Sequence, residues 1–191
     1  MNIETQTVPT HDVFKRAGVK ETTVLLVVAW LIPFVVHLLP WNGERPLGAH
    51  LLPMFWVAFV AVYLHGLRVG LLVGLFAPVL NLMLTGLPAL RWMSVLGFEL
   101  IVFAVLAWWI VRRAPLFWLI APMGYLAAKT ASSLLQYVAT PSGEIGTPLV
   151  FFLESLRSGL PGLGILTAIN LVLVLLYPKS RDEKHNDSAG V

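Results

Sequence analysis

Uninterrupted apolar runs of close to twenty residues constrain this chain more than any other feature. A helix of that length, rising ~1.5 Å per residue, matches the roughly 30 Å hydrocarbon core of a bilayer. The sequence divides into six such stretches: Thr23–Leu39, Leu47–Leu64, Leu67–Thr85, Trp92–Val111, Leu116–Val138 and Leu160–Tyr177. Inside lipid every backbone N–H and C=O must be paired within its own segment or a closed barrel, so segments this long read as helices. Composition points the same way. Hydrophobic residues make up 58% of the chain and charged ones 12%, where a soluble domain carries about 25% charge. The expected fold is all-α, a polytopic membrane bundle of about six transmembrane helices over residues 23–178. A polar N-terminal segment, 1–22, and a polar tail, 179–191, flank it.

The joins carry turn and interface residues: Pro40-Trp41-Asn42-Gly43, His65-Gly66, Gly86-Leu87-Pro88, Arg112-Arg113-Ala114-Pro115 and a longer stretch from Thr140 to Gly159. Short joins favour antiparallel neighbours. Placing the N-terminus in the cytoplasm assigns Lys15, Arg16, Lys20, Arg68, Arg112, Arg113, Lys179, Arg181 and Lys184 to the cytoplasmic side. Arg45 and Arg91 fall on the other side, and Lys129 and Arg157 within or beside apolar segments. This asymmetry predicts both termini in the cytoplasm and an even number of spans in the inner (cytoplasmic) membrane of the cell. The net charge of +3 and pI near 9.5 are thereby accounted for by membrane-flanking residues, and no nucleic-acid partner is expected.

The chain has no cysteine, which excludes disulfides, thiolate chemistry and Cys-based metal or iron–sulfur sites. The first 22 residues lack the continuous apolar core of a cleavable signal sequence. No His-Glu-x-x-His, Gly-x-Ser-x-Gly or Gly-x-x-x-x-Gly-Lys-Ser/Thr motif occurs. No catalytic residue, metal or cofactor is therefore assigned, and ATP-driven transport requires another subunit to hydrolyse the nucleotide. The two halves show no persuasive internal repeat, which weakens a paired-repeat secondary transporter.

Gly66, Gly70 and Gly74 recur every four residues, a small face that permits close helix packing. Pro33, Pro53, Pro78 and Pro122 interrupt the apolar segments, as kinks that either open a cavity or adjust packing. Leu149–Leu156 is apolar but too short to cross, and the following Arg157-Ser158-Gly159-Leu160-Pro161-Gly162 reads as a break. The expectation is a separate interfacial or re-entrant segment, which covers a cavity or merely rests on the surface.

Polar residues within apolar segments cost free energy, about 2.5 to 3.5 kcal/mol for a central charge on insertion scales. Glu99 therefore needs an interior position, a proton or a partner, and Lys129 is the obvious partner. Gln136 lies seven residues beyond Lys129 and Asn81 seven beyond Gly74, each continuing its helix face. These groups either line a binding cavity or bond helices together, and Asn170 is assigned the bonding role. Glu154 and Arg157 have the i,i+3 spacing of a local pair and either cap a cavity or bond each other. Trp41, Trp92 and Tyr137 read as interface anchors, with Trp56, deeper in its segment, better placed for stacking on a ligand. His37 and His50 lack metal-site spacing.

The order of features resembles a substrate-binding S component of the energy-coupling factor vitamin transporters. The matching material is Pro46-Leu47-Gly48-Ala49-His50 leading into the second helix, Gly66-Leu67-Arg68-Val69-Gly70-Leu71-Leu72-Val73-Gly74, and Ser158-Gly159-Leu160-Pro161-Gly162 before the last. The resemblance extends loosely over residues 23–178. It implies a six-helix protein that captures a vitamin-like small organic solute from outside. A separate transmembrane coupling subunit and cytoplasmic ATPases would power release, and the pocket would lie near the outer helix ends. By that analogy Trp56, Asn81, Glu99, Lys129, Gln136 and Arg157 are the candidate substrate-binding residues. The chain departs from the family at Val24–Pro33, which lacks the Ala-x-x-x-Ala pattern used to dock the coupling subunit. An intramembrane enzyme acting on a lipid or amphiphile, and a structural or assembly subunit of a larger membrane complex, are the alternatives.

Overall fold

The computed structural model describes residues 19–38, 40, 42, 47–85, 90–139 and 148–178; the expected polar tail from 179 and most of the N-terminal segment lie outside that set. The described residues form an all-α bundle: α1 (Val19–Leu38), α2 (Leu47–Leu51), α3 (Pro53–His65), α4 (Leu67–Thr85), α5 (Leu90–Arg113), α6 (Ile120–Ala139) and α7 (Pro148–Leu176). Helix α3 sits at the centre, packed against α1, α4, α5 and α7, while α5 joins α4 to α6, and α6 and α2 both lean on α7. A central helix must be apolar on every side, and α3 is, with Met54, Phe55, Val57, Ala58, Phe59, Ala61, Val62 and Tyr63 all buried.

The perimeter is apolar as well. Val24, Val27, Leu31 and Val35 make an exposed stripe on α1, and Leu72, Leu75 and Phe76 one on α4. Leu171, Val172 and Leu175 are exposed on α7. In water such a surface is an aggregation hazard; against acyl chains it costs nothing. Three helical stretches are long and apolar enough to cross a membrane: Leu47–His65, Trp92–Arg113 and Leu149–Leu176. The apolar parts of α1 and α4, Thr23–Val36 and Leu67–Met83, are shorter. Three of the six predicted spans thus meet the length and composition of a crossing among the described residues. Lys129, Thr130, Ser132, Ser133 and Gln136 make α6 the departure with a chemical cause.

Two breaks shape the centre. Pro53 lacks an N–H and pushes its predecessor out of the right-handed helical region. Leu52 accordingly takes φ 57° and ψ 40°, a left-handed conformation costing a non-glycine residue about 1–2 kcal/mol. Burial of its side chain against Gly159 and Gly162 of α7 offsets that strain. At Gly66, φ is 83°, and the Gly66 N–H donates to Val62 O at 3.0 Å. One residue thereby separates α3 from α4, which is feasible because glycine has no Cβ penalty at positive φ.

The last helix corrects the sequence reading. Leu149–Leu156 is not a separate interfacial or re-entrant element, and Ser158–Gly162 is not a loop, because α7 runs unbroken from Pro148 to Leu176 with Pro161 inside it. Proline removes one donor, the one the Arg157 carbonyl would accept from, and crowds the preceding turn; in that turn the neighbouring Ser158 carbonyl is held by His50 Nδ1 at 2.9 Å. Gly159 and Gly162 let α2 and Leu52 approach so closely that a Cβ at Gly162 would meet His50 O at 2.7 Å. The small residues that resemble a loop in sequence are a packing face.

Candidate functional site

Helices α5 and α6 run antiparallel, with Gly124 against the Phe103 ring. That register brings Glu99, one turn before Phe103, opposite Lys129, just over one turn beyond Gly124. Glu99 is 1% exposed. Lys129 Nζ donates to Glu99 Oε2 at 2.7 Å and to Oε1 at 2.9 Å. Ser132 Oγ donates to Oε1 at 2.7 Å and lies 3.1 Å from Lys129 O. Each carboxylate oxygen therefore has a donor. A short two-oxygen contact with a further hydroxyl is the geometry in which attraction in low dielectric repays the desolvation of both charges.

Below the pair lies a layer of aromatic rings. Phe55 meets Phe103 and Tyr125 edge-on, with centroids 5.2 Å apart in each case. The Lys129 ammonium lies 5.7 Å from the centre of the Tyr125 ring, and the Tyr125 hydroxyl donates to Ser155 O of α7 at 3.4 Å. The ring faces add a modest cation–π attraction and seal the charges from the α3–α4 turn end of the bundle.

Lys129, Ser132, Ser133 and Gln136 have the i, i+3, i+4, i+7 spacing of one helix face. Ser133 is buried, and its Oγ has no hydrogen-bond partner among the described residues. The face thus continues from a satisfied ion pair to an unmatched buried hydroxyl one turn further along. Buried polar groups without partners are uncommon and call for an explanation.

The six predicted site residues do not converge as a set. Glu99 and Lys129 meet directly. Asn81 is buried on α4, seven residues past Gly74, which packs on Leu100; Gln136 is half-buried. Both therefore sit about 10 Å from the pair's level toward the end where α5 begins and α6 finishes. Trp56 is half-buried on α3, its indole N–H buried without a hydrogen-bond partner among the described residues. It shares the α3 face of Tyr63, whose hydroxyl donates to Tyr177 O, just past the end of α7, at 3.0 Å. Arg157 is exposed on α7, as is Glu154.

Asn170 has the bonding role expected of it. Its Oδ1 accepts from Ala121 N at 3.1 Å and its Nδ2 donates to Phe117 O at 3.3 Å, satisfying the backbone at the start of α6. Trp92 and Tyr137 are exposed at the helix ends where interface anchors were expected, and Trp41 and the His37 side chain lie outside the described residues. Among the described residues no three His, Cys, Asp or Glu side chains gather. Ser132, Ser133 and Tyr125 went unnoticed in the sequence, although their spacing around Lys129 was there to read.

Comparison of the chain with protein-family models, with curated proteins and with solved structures gives no match. Fold and site together define a helical bundle with membrane-length apolar helices and a buried, hydrogen-bonded charge pair.

Proposed function

We propose that this chain is a six-span subunit of the cell's inner membrane, both termini cytoplasmic, that binds a small organic solute from outside for uptake. The solute is vitamin-like in size. Binding centres on the α6 face that runs from Lys129 through Ser133 to Gln136, with Asn81 at the same end of the bundle. The observation that carries the reading is the buried Ser133 hydroxyl without a hydrogen-bond partner, one turn from a sealed ion pair. An apolar membrane helix gains nothing from such a group unless something completes it. On this reading the chain binds and carries rather than catalyses. Separate coupling and ATPase subunits, as in the energy-coupling factor transporters, supply the energy; that part rests on the sequence resemblance alone.

The test is untargeted mass spectrometry of small molecules extracted from protein purified in mild detergent, in parallel with Ser133→Leu. A near-stoichiometric organic molecule in the native protein, depleted in the variant, is the expected result. If no molecule is retained, and cell extract does not stabilise the native protein against heat, the binding reading fails. A second reading, a structural subunit of a larger membrane complex, is favoured by the complete hydrogen bonding of Glu99 within the chain. It predicts stable co-purifying proteins and no retained solute.

A further inference from the structure

The end of the bundle where α5 finishes is chemically unlike the rest. Arg112 lies over the Trp108 ring with its guanidinium carbon 4.8 Å from the centroid, and Arg113 over Trp109 at 4.7 Å. Each pair spans one helical turn, so the last two turns of α5 hold two guanidiniums over two indole faces. A guanidinium held over a ring face makes a cation–π contact and presents the planar fork of N–H donors that matches an oxyanion.

Among the described side chains, no carboxylate lies at this end of the bundle. The carboxylates with described side chains are Glu99, sealed on Lys129, and Glu154, near the start of α7 at the opposite end. Lys20 and Arg68, both exposed, belong to the same end as Arg112 and Arg113. The Gly66 turn and the Tyr63–Tyr177 bond place the finish of α3, the start of α4 and the finish of α7 there too. Among the described side chains this rim carries positive charge alone.

Beside these arginine–tryptophan pairs, apolar side chains stand out from the protein. Trp109 is 47% exposed, Leu116 62% and Trp118 52%, with the Ala114–Leu119 turn held to α5 by Ala114 N donating to Ile110 O at 2.7 Å. In water these groups are a liability; at the boundary between headgroups and acyl chains, indoles and leucine are at home. Fixed cations directly beside exposed indoles at the end of a membrane-length helix match one partner in both charge and polarity.

We infer that Arg112 and Arg113, held over the Trp108 and Trp109 rings and flanked by Leu116 and Trp118, form a binding site for the headgroup of an anionic phospholipid. The phosphate oxygens accept from the guanidinium edges, while the acyl chains lie along Trp109 and the apolar face of α5. The site holds the bundle at its depth in the leaflet. It is independent of the Glu99–Lys129 centre and of the solute reading.

The test titrates the detergent-purified full chain with dioleoyl phosphatidylglycerol or dioleoyl phosphatidylcholine and reads bound lipid by native mass spectrometry. The native protein should prefer phosphatidylglycerol, and each arginine removed should cost about fivefold in occupancy, so that Arg112→Gln/Arg113→Gln loses most of the preference. Arg112→Lys/Arg113→Lys keeps the charge but not the planar fork of donors and should fall between the two. Both variants should melt with the native protein in neutral detergent, since the two side chains are exposed. Equal binding of the two lipids by the native protein, an undiminished preference in the glutamine variant, or native-level binding in the lysine variant would each overturn the inference. So would displacement of the lipid by a large excess of inorganic phosphate, which would mark a site for free anions instead.

Discussion

Substituting Lys129 by Met removes the ammonium while keeping most of the side chain's length, so it isolates the electrostatic part of the α5–α6 contact. At 2.7 Å and an effective dielectric of about 20, the bare attraction is of order 6 kcal/mol, much of it offset by desolvation. Removing one partner of a buried pair typically costs about 3–5 kcal/mol, because the other is left charged and uncompensated. The expected loss is therefore roughly 3–5 kcal/mol. For a domain of this size, soluble-protein scaling converts it to a fall in melting temperature of about 6–20 °C. The assay is thermal unfolding in mild detergent of the native protein, Lys129→Met, Glu99→Gln and the double variant. Glu99→Gln should cost less, about 1–3 kcal/mol, since the Lys129 side chain is 14% exposed and its head can reach toward polar surroundings. The neutral double variant should recover most of the Lys129→Met loss, giving a coupling of at least about 1.5 kcal/mol. If the two losses simply add, the pair is not what holds α5 to α6 and the reasoning fails.

Other contacts give equally direct outcomes. Gly162→Ala places a Cβ 2.6–2.8 Å from Leu52 Cγ, His50 O and Leu51 C; with backbone atoms unable to yield, about 1–3 kcal/mol should be lost in the same melts. Gly164→Ala, facing open space, should be neutral or stabilising by up to about 1 kcal/mol. Asn170→Ala strands Ala121 N and Phe117 O and should cost about 1–3 kcal/mol, with faster amide exchange at the start of α6 as a second readout. His50→Ala releases the Ser158 carbonyl and should cost about 1 kcal/mol, with protection lost at the Leu51–Pro53 break.

Much of the bundle was legible in the residues themselves because helix formation in lipid is a local requirement. Each of the six apolar stretches overlaps a helix, but Leu47–Leu64 divides at Leu52 into α2 and α3, and Leu160–Tyr177 begins well inside α7; Gly66 marked the break between α3 and α4, while of the four interrupting prolines Pro33 and Pro78 sit inside helices. Pro53 and Pro161 show the limit of local reading, since one begins a helix and the other sits inside one. The difference lies in the neighbours. Leu52 is packed into the glycines of α7, whereas the turn ahead of Pro161 has His50 on a carbonyl and glycines that admit α2.

The candidate site divides in the same way. Glu99 and Lys129 announced themselves as charges too costly to leave alone in an apolar segment, a property of each residue in its own surroundings. That they meet at 2.7 Å with Ser132, while Trp56 faces elsewhere and Arg157 stays exposed, was decided by tertiary structure. Thirty residues separate the charged pair, and their level is set by the Gly124–Phe103 contact between antiparallel helices. The sequence alone determined the helical character of the apolar segments and the charges that had to be answered, because those follow from hydrogen bonding and solvation along the chain. Which side chain answers which depends on register and rotation between helices, set by packing among residues that are remote in sequence.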